Sequence, residues 1–363
     1  MRIQIVVLFL ILYISNLAYA QGPVVDRVEP PNWWVGMRQD TLQLMIEGRD
    51  LRDITVSSSS AGVSIVRVVS SPKYAFVDIL LEKNLDSGRI DLNLKNDRTS
   101  TAISYPIYRR EKHTGRYQGF SPADVIYLIT PDRFANGDIT NDSVVGMSEG
   151  MEREEPYGRH GGDIQGVIDH LDYLKDLGVT ALWLNPVVEN NGKFSYHGYA
   201  VTDMYRIDPR FGTNELYREL VSEAHRRGLK IIMDHVSNHI GINHRWVQSL
   251  PMPDWLNGSA ENHLPAYHGK LELTDIHADS SASIRLRNGW FSDSMPDLNQ
   301  RNSFVAKYIT QNSIWWIETT GLDGIREDTY PYVDPGFASR WARAIRAEYP
   351  QFSIVGEVWI QDP

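Results

Sequence analysis

Three short apolar runs in this sequence end in an acidic residue: Lys230-Ile-Ile-Met-Asp234, Gly324-Ile-Arg-Glu-Asp328 and Ile354-Val-Gly-Glu357. If these runs are parallel strands, their carboxyl ends converge on one rim, where α/β folds gather their chemistry. Side chains alternate along a strand, so Arg326 and Asp328 share a face. The guanidinium is expected to lower the Asp328 pKa and keep the group ionised, which suits a nucleophile. Glu357 arrives from the next strand and stays protonated if its surroundings are less polar. Two carboxyls held apart in pKa are equipment for breaking a glycosidic bond. A single acid after a strand is commonly a helix cap, and clustered acids can instead hold a divalent metal for phosphoryl transfer or sugar isomerisation. Three in successive strands favour a site.

The elements that must position these groups are legible from residue 120 onward. Apolar runs at Val125–Thr130, Thr180–Leu184, Lys230–Met233, Gly324–Asp328 and Ser353–Val355 alternate with amphipathic stretches. The stretches are Gly166–Leu177 (capped by Asp163), Glu215–Arg227, Phe304–Thr319 and Pro335–Glu348, and Gly228 and Gly321 end two of them. Strand–helix–strand repetition means parallel strands with right-handed crossovers, in a (β/α) barrel or a doubly wound sheet. No glycine-rich phosphate loop follows any strand, which weakens the nucleotide-binding version. Residues 23–112 read differently, as short period-2 runs broken by turns, and predict an all-β, immunoglobulin-like sandwich. Trp33-Trp34 there is read as core before stacking platform.

Composition narrows the function classes. Lys+Arg 36 against Asp+Glu 46 gives a net charge of -10 with no basic block, which excludes phosphate-backbone binding. Zero cysteine excludes disulfides, iron–sulfur sites and thiol nucleophiles. Ten Trp and 18 Tyr without basic bias suit a surface that stacks neutral rings such as sugars. Residues 1–20 read as an export signal: Arg2, the apolar run Ile5–Ile14, and Ala18-Tyr19-Ala20 before Gln21. Ten residues rise only about 15 Å as a helix, too short to span a bilayer. The expectation is an exported protein, periplasmic or extracellular, with no membrane span once the signal is removed.

Taken together, the motifs resemble the α-amylase family, glycoside hydrolase family 13. Asp234-His-Val-Ser-Asn238-His239, Gly324-Ile-Arg326-Glu-Asp328 and Gly356-Glu357-Val358-Trp359 are similar to three family motifs in order. Met295-Pro-Asp-Leu-Asn299 is similar to the version in the neopullulanase–cyclomaltodextrinase branch. Gly161-Gly-Asp-Ile-Gln-Gly166, Leu182-Trp-Leu-Asn-Pro186 and Tyr196-His-Gly-Tyr199 match further landmarks. The resemblance implies a (β/α)8 TIM-type barrel after the sandwich. It implies a retaining hydrolase of α-1,4-glucans (maltooligosaccharides, cyclodextrins or pullulan). Asp328 would be its nucleophile and Glu357 its acid and base, with Arg326, Asp234, His239 and Tyr199 binding substrate around them. A homodimer is left open.

Asn136-Gly-Asp138-Ile-Thr-Asn141-Asp142 is dense in hard oxygen donors suited to Ca²⁺, although N-G-D and N-D are also plain turn dipeptides. The resemblance implies a calcium site there, completed by the Gly161 carbonyl and Asp163. Residues 240–302 form a long insertion with little periodicity, expected beside the cleft. Its His244, His263, His268 and His277 lack zinc-ligand spacing and read as polar loop residues. The family's Asn/His-His-Asp motif of the seventh strand has no counterpart, and only about five strands can be placed. The barrel is therefore expected to be incomplete, as in an N-terminal portion of a longer enzyme. An α-glucan transglycosylase and an inactive glycan-binding protein are the alternatives. Glu327, pointed at the helix layer, has no evident partner.

Overall fold

A computed structural model describes residues 22–111, 115–269, 275 and 277–359; the expected export signal, residues 1–20, lies outside them. The first eight strands are β1 (Val24–Glu29), β2 (Trp33–Trp34), β3 (Thr41–Arg49), β4 (Thr55–Ser58), β5 (Val63–Ser70), β6 (Tyr74–Leu81), β7 (Gly88–Lys95) and β8 (Ser100–Tyr108). They form two four-stranded sheets, ordered β1-β3-β6-β5 and β2-β8-β7-β4. Alternation explains the packing: in β7, Ile90, Leu92 and Leu94 are buried while their neighbours face solvent. Trp33 and Trp34 are both buried, so they fill this core and offer no platform.

Seven further strands follow: β9 (Ile126–Ile129), β10 (Ala181–Leu184), β11 (Val188–Glu189), β12 (Asp203–Ile207), β13 (Lys230–His235), β14 (Gly324–Glu327) and β15 (Ser353–Gly356). Five of them make one parallel sheet in the order β15-β14-β13-β10-β9, a partial barrel. Among the described residues the sheet does not close. At its β9 end Val125, Ile126, Tyr127 and Leu128 are exposed, and at its β15 end Val355 is exposed. The pair β11–β12 is a separate antiparallel hairpin.

Helices cover the sheet where the apolar periodicity placed them. Asn214–Arg226 is capped by Thr213, whose side chain accepts from Leu216 N. Ser303–Thr320 ends at Gly321 with φ +84°, the left-handed cap that glycine supplies most cheaply. The helix expected over 166–177 is instead two short ones, Ile164–Asp169 and Leu171–Asp176. His170 breaks it, because its Nδ1 donates to the Gly166 carbonyl at 2.7 Å and competes with the helical ladder.

The sandwich is locked to the barrel layer by polar groups as well as packing. Beyond the end of β1, the free edge of β3 is completed by one side chain: Gln311 accepts from Gln43 N at 2.8 Å and donates to Gln43 O at 2.7 Å. Glu29 accepts from Arg245 at 2.7 Å and from Tyr308 at 2.8 Å, while Arg27 grips Asp203. The insertion is held in the same place. Its Trp255 packs on Phe76 of the sandwich at 5.5 Å, and Trp246 meets Tyr308 at 5.0 Å. These aromatics fill one irregular interface, and within the insertion only Arg245–Gln248 and Ser280–Asn288 are α-helical among the described residues.

Candidate active site

Adjacent strands in register bring the three carboxylates together. β13 and β14 pair Asp234 with Arg326 and His235 with Glu327, and β14 and β15 pair Glu327 with Gly356. Side chains of Asp234, Arg326 and Asp328 therefore rise on one face, with Glu357 one step beyond the end of β15. Arg326 Nη1 donates to Asp234 Oδ1 and to Asp328 Oδ1, each at 2.7 Å. Arg326 Nη2 lies 2.8 Å from Glu357 Oε1. One guanidinium thus touches all three anions, which confines Asp328 and Glu357 to one side of the sheet. Sharing one guanidinium makes them neighbours, and Asp328 itself contributes a hydrogen bond to the Glu357 carboxyl.

The surrounding groups fix the trio. Asp234 Oδ2 accepts from the Tyr199 hydroxyl at 2.9 Å and from the Trp183 indole at 3.0 Å. The Arg326 guanidinium lies over the Trp183 ring, 5.1 Å from its centroid. Glu357 Oε2 accepts from Thr329 N at 2.7 Å. Thr329 reaches that position at φ +46°, a left-handed conformation uncommon for a β-branched residue. A cavity of about 410 Å³ opens beside these groups, walled by His197, Tyr199, His239, Phe291, Tyr332 and Trp359.

Protonation departs from the sequence expectation. Burial pushes the Asp328 carboxyl well above the usual range, Asp234 and Glu357 add to the rise, and Arg326 opposes it. Burial also raises Glu357, but the Thr329 N–H, the Trp359 indole and Arg326 outweigh it and the group ends below its ordinary value. Burial thus works against the expected ionisation of Asp328, and the hydrogen-bond donors work against the expected protonation of Glu357, because a single cation is shared by three carboxyls. Burial lowers His239 to about 4, so its ring is neutral at neutral pH.

The remaining expected residues lie elsewhere. Asn136 Oδ1 and Asn141 Oδ1 are buried without a hydrogen-bond partner. Asn136 Nδ2 donates to Asp142 Oδ1 at 2.7 Å. A Cβ on Gly161, at φ +85°, would come within 2.4 Å of Asp142 Oδ1, so that backbone needs glycine. These oxygens suit a hard cation. Two expected ligands are also engaged by local donors. Asp163 caps the helix Ile164–Asp169 and accepts from Gly137 N, Asp138 N and Gly166 N at 2.6–3.1 Å. Asp138 closes its own turn onto Thr140 N at 2.9 Å. Among the described residues no cluster of three or more His, Asp or Glu could hold a metal. His263 stacks on Trp290 at 3.9 Å, and His268, bonded to the Tyr332 hydroxyl at 2.8 Å, lines the cavity.

Residues 128–363 match the family described as alpha amylase, catalytic domain, and residues 27–111 match the cyclomaltodextrinase N-terminal family. The chain belongs to the α-amylase family. It is 32% identical over 295 residues to an intracellular maltogenic amylase of Bacillus subtilis (strain 168), covering 79% of this chain and 47% of that protein. It is 37% identical over 240 residues to neopullulanase 2 of Thermoactinomyces vulgaris, covering 65% and 38%. Among solved structures, an Anoxybacillus alpha-amylase aligns with TM-score 0.57 at 37% identity, over 66% of this chain and 48% of that one. An alpha-amylase from Geobacillus thermoleovorans, complexed with acarbose, aligns at 0.54 and 36% identity, over 66% and 47%. The chain spans less than half the length of these relatives.

Sequence reasoning missed several members of this α-amylase-family site. Trp183 carried a signal, since it shares the strand face of the rim residues; Thr329, Phe291, His268 and Tyr332 carried none. Burial raises the Asp234 carboxyl from 3.8 to about 6. A raised carboxyl contributes most below its unfolded pKa, and that contribution is lost as pH rises through the folded value. Urea unfolding at pH 4.5 and pH 7 checks this. Relative to Asp234→Asn, the wild type is expected to lose about 2 kcal/mol between the two pH values. A difference that stays constant with pH would contradict the assignment.

Proposed function

We propose that this protein hydrolyses α-1,4-glucans by a retaining mechanism, acting on starch-derived maltooligosaccharides, cyclodextrins or pullulan. The single observation that carries the reading is the Arg326 guanidinium shared by Asp234, Asp328 and Glu357 beside an aromatic-walled cavity. The names of the relatives, among them maltogenic amylase, cyclomaltodextrinase and neopullulanase, support the substrate class. Tyr199 presents its ring to the sugar while its hydroxyl holds Asp234. His239, neutral and buried, is a hydrogen-bonding wall.

In the first step an Asp328 oxygen bonds to the anomeric carbon as the glycosidic C–O bond breaks, and the leaving oxygen takes the Glu357 proton. In the second, water gives a proton to Glu357 and its hydroxyl to the anomeric carbon, releasing the Asp328 carboxylate. Before the first step Asp328 must be ionised and Glu357 protonated, against the push of burial on the one and of hydrogen-bond donors on the other. Positive charge growing at the anomeric carbon favours the Asp328 anion. Asp234 orients Arg326 and is not a proton donor in this scheme.

Incubation with maltoheptaose, β-cyclodextrin and pullulan tests the reading. The expected first product has the α configuration, and Glu357→Gln lowers turnover by about 10²–10⁴-fold. Binding without turnover, unchanged by Asp328→Asn, would favour a glycan-binding protein.

Export is also proposed, on the strength of Arg2, the apolar run Ile5–Ile14 and Ala18-Tyr19-Ala20. No described helix is long and apolar enough to cross a membrane. Expression with a periplasmic fraction is expected to yield a mature chain beginning at Gln21; recovery of intact Met1 chain from the cytoplasm alone would refute it.

Ca²⁺ is proposed as a structural ion held by Asn136, Asn141, Asp142 and the Gly161 carbonyl, where it would tie the loop after β9 to the helix Ile164–Asp169. Millimolar Ca²⁺ is expected to raise the melting temperature by several degrees, and Asp142→Ala to remove the increment. An increment that survives the substitution would place the ion elsewhere.

A further inference from the structure

The side chain that sequence reasoning could not place has a set of partners in the fold. Glu327 points away from the cavity, into the layer between sheet and helices, and is 1% exposed. Its Oε2 accepts from His235 Nδ1 at 2.6 Å, and its Oε1 accepts from the Ser237 hydroxyl. On the far side of the imidazole, His235 Nε2 lies 3.0 Å from Ser313 Oγ. Ser313 also accepts from the Trp341 indole at 2.9 Å and donates to the Ile309 carbonyl at 3.0 Å. Ser313 Oγ is thus shared by the imidazole, the Trp341 indole and the Ile309 carbonyl, and His235 and Glu327 form a close buried acid–imidazole pair.

An acid, an imidazole and a hydroxyl in line have the order of a nucleophilic triad. This one cannot act as one, because Ser313 is fully buried and His235 nearly so. What it does touch is the backbone under the site. His235 and Glu327 occupy one rung of the β13–β14 ladder. The carbonyl of His235 accepts from Asp328 N at 2.9 Å, and the carbonyl of Glu327 accepts from Glu357 N at 2.9 Å. Both carboxylates proposed for the chemistry are thus hung from the two residues of this pair. Ser237, the third partner, begins the loop that delivers His239 to the cavity wall. Ser313 and Trp341 belong to the two helices that flank β14 in sequence, so the chain ties sheet, loop and helix layer at one point.

Burying an ion pair is weak evidence for stability, since apolar residues of similar volume often serve the fold as well or better. Its distinguishing property is direction: short charged bonds fix the rung where apolar contact would let it slide. We propose that Glu327 and His235 are positioning residues for the hydrolytic site, setting the mutual placement of Asp328 and Glu357 from behind the sheet. The proposal rests on the hydrolase reading above. A misplacement of about 1 Å at such a pair can cost about 100-fold in rate.

The test compares wild type, Glu327→Gln and the apolar double variant His235→Leu/Glu327→Leu on maltoheptaose. In the double variant kcat is expected to fall about 10–100-fold with KM within about twofold and a melting temperature near that of wild type. Glu327→Gln, which keeps the hydrogen bonds and loses the charge, is expected to recover most of kcat. A folded double variant with wild-type kcat would overturn the proposal. So would Glu327→Gln losing activity only in step with its melting temperature, a comparison that still decides if the double variant does not fold. Absence of turnover in the wild type counts against the hydrolase reading alone. Carboxyl ¹³C titration of Asp328 and Glu357 then decides the positioning role. Midpoints that move by a pH unit or more in the double variant support it, and unmoved midpoints there refute it.

Discussion

One cation between three anions governs this site. Arg326 is buried and bonded to Asp234, Asp328 and Glu357 together. Removing that guanidinium would leave two buried carboxylates facing each other without a counter-charge, a far larger penalty than losing a surface ion pair. One positive charge balances one carboxylate, and burial disfavours the negative charge that remains, so the carboxyls of Asp234 and Asp328 are both pushed up.

The scaffold meets this constraint with strand register. Asp234 and Arg326 are cross-strand partners, and Asp328 lies two residues beyond Arg326 on the same face. Neither relation depends on a loop. The opposite face of the same rungs is normally apolar where helices cover a parallel sheet, and here it carries His235 and Glu327. Polar groups therefore occupy both faces of the ladder at one level, bonded on the front to the guanidinium and at the back to Ser237 and Ser313. The sandwich stands outside this arrangement. Through Gln311 and the Glu29–Arg245 pair it restrains the helix Ser303–Thr320 and the insertion, which form the walls and outer support of the site.

Strand ends were legible because a run such as Ile231-Ile232-Met233 followed by an acid has only one sensible reading in a covered parallel sheet. Helix limits followed from caps: Asp163 and Gly321 behave as their chemistry dictates. Residues whose role depends on non-local approach were not legible. Phe291 and His268 come from an aperiodic insertion and meet Tyr332 only after folding. Thr329 acts through a backbone N–H, which no residue type advertises. The upward push on the Asp328 carboxyl was hidden for a related reason. Arg326 was visible two residues away in sequence, whereas the second and third negative charges were visible only in space. Glu327 was flagged as out of place for an apolar layer, yet its partner sat 92 positions upstream.

The three carboxylates are not equally constrained, and the difference follows from the sheet. Asp234 belongs to β13, which has neighbours on both sides, and both its oxygens are bonded. Asp328 follows β14, also an interior strand, and its N–H is held by the His235 carbonyl. Glu357 follows β15, which among the described residues pairs with β14. Its placement leans on the Glu327 carbonyl, the Thr329 N–H and one Arg326 nitrogen.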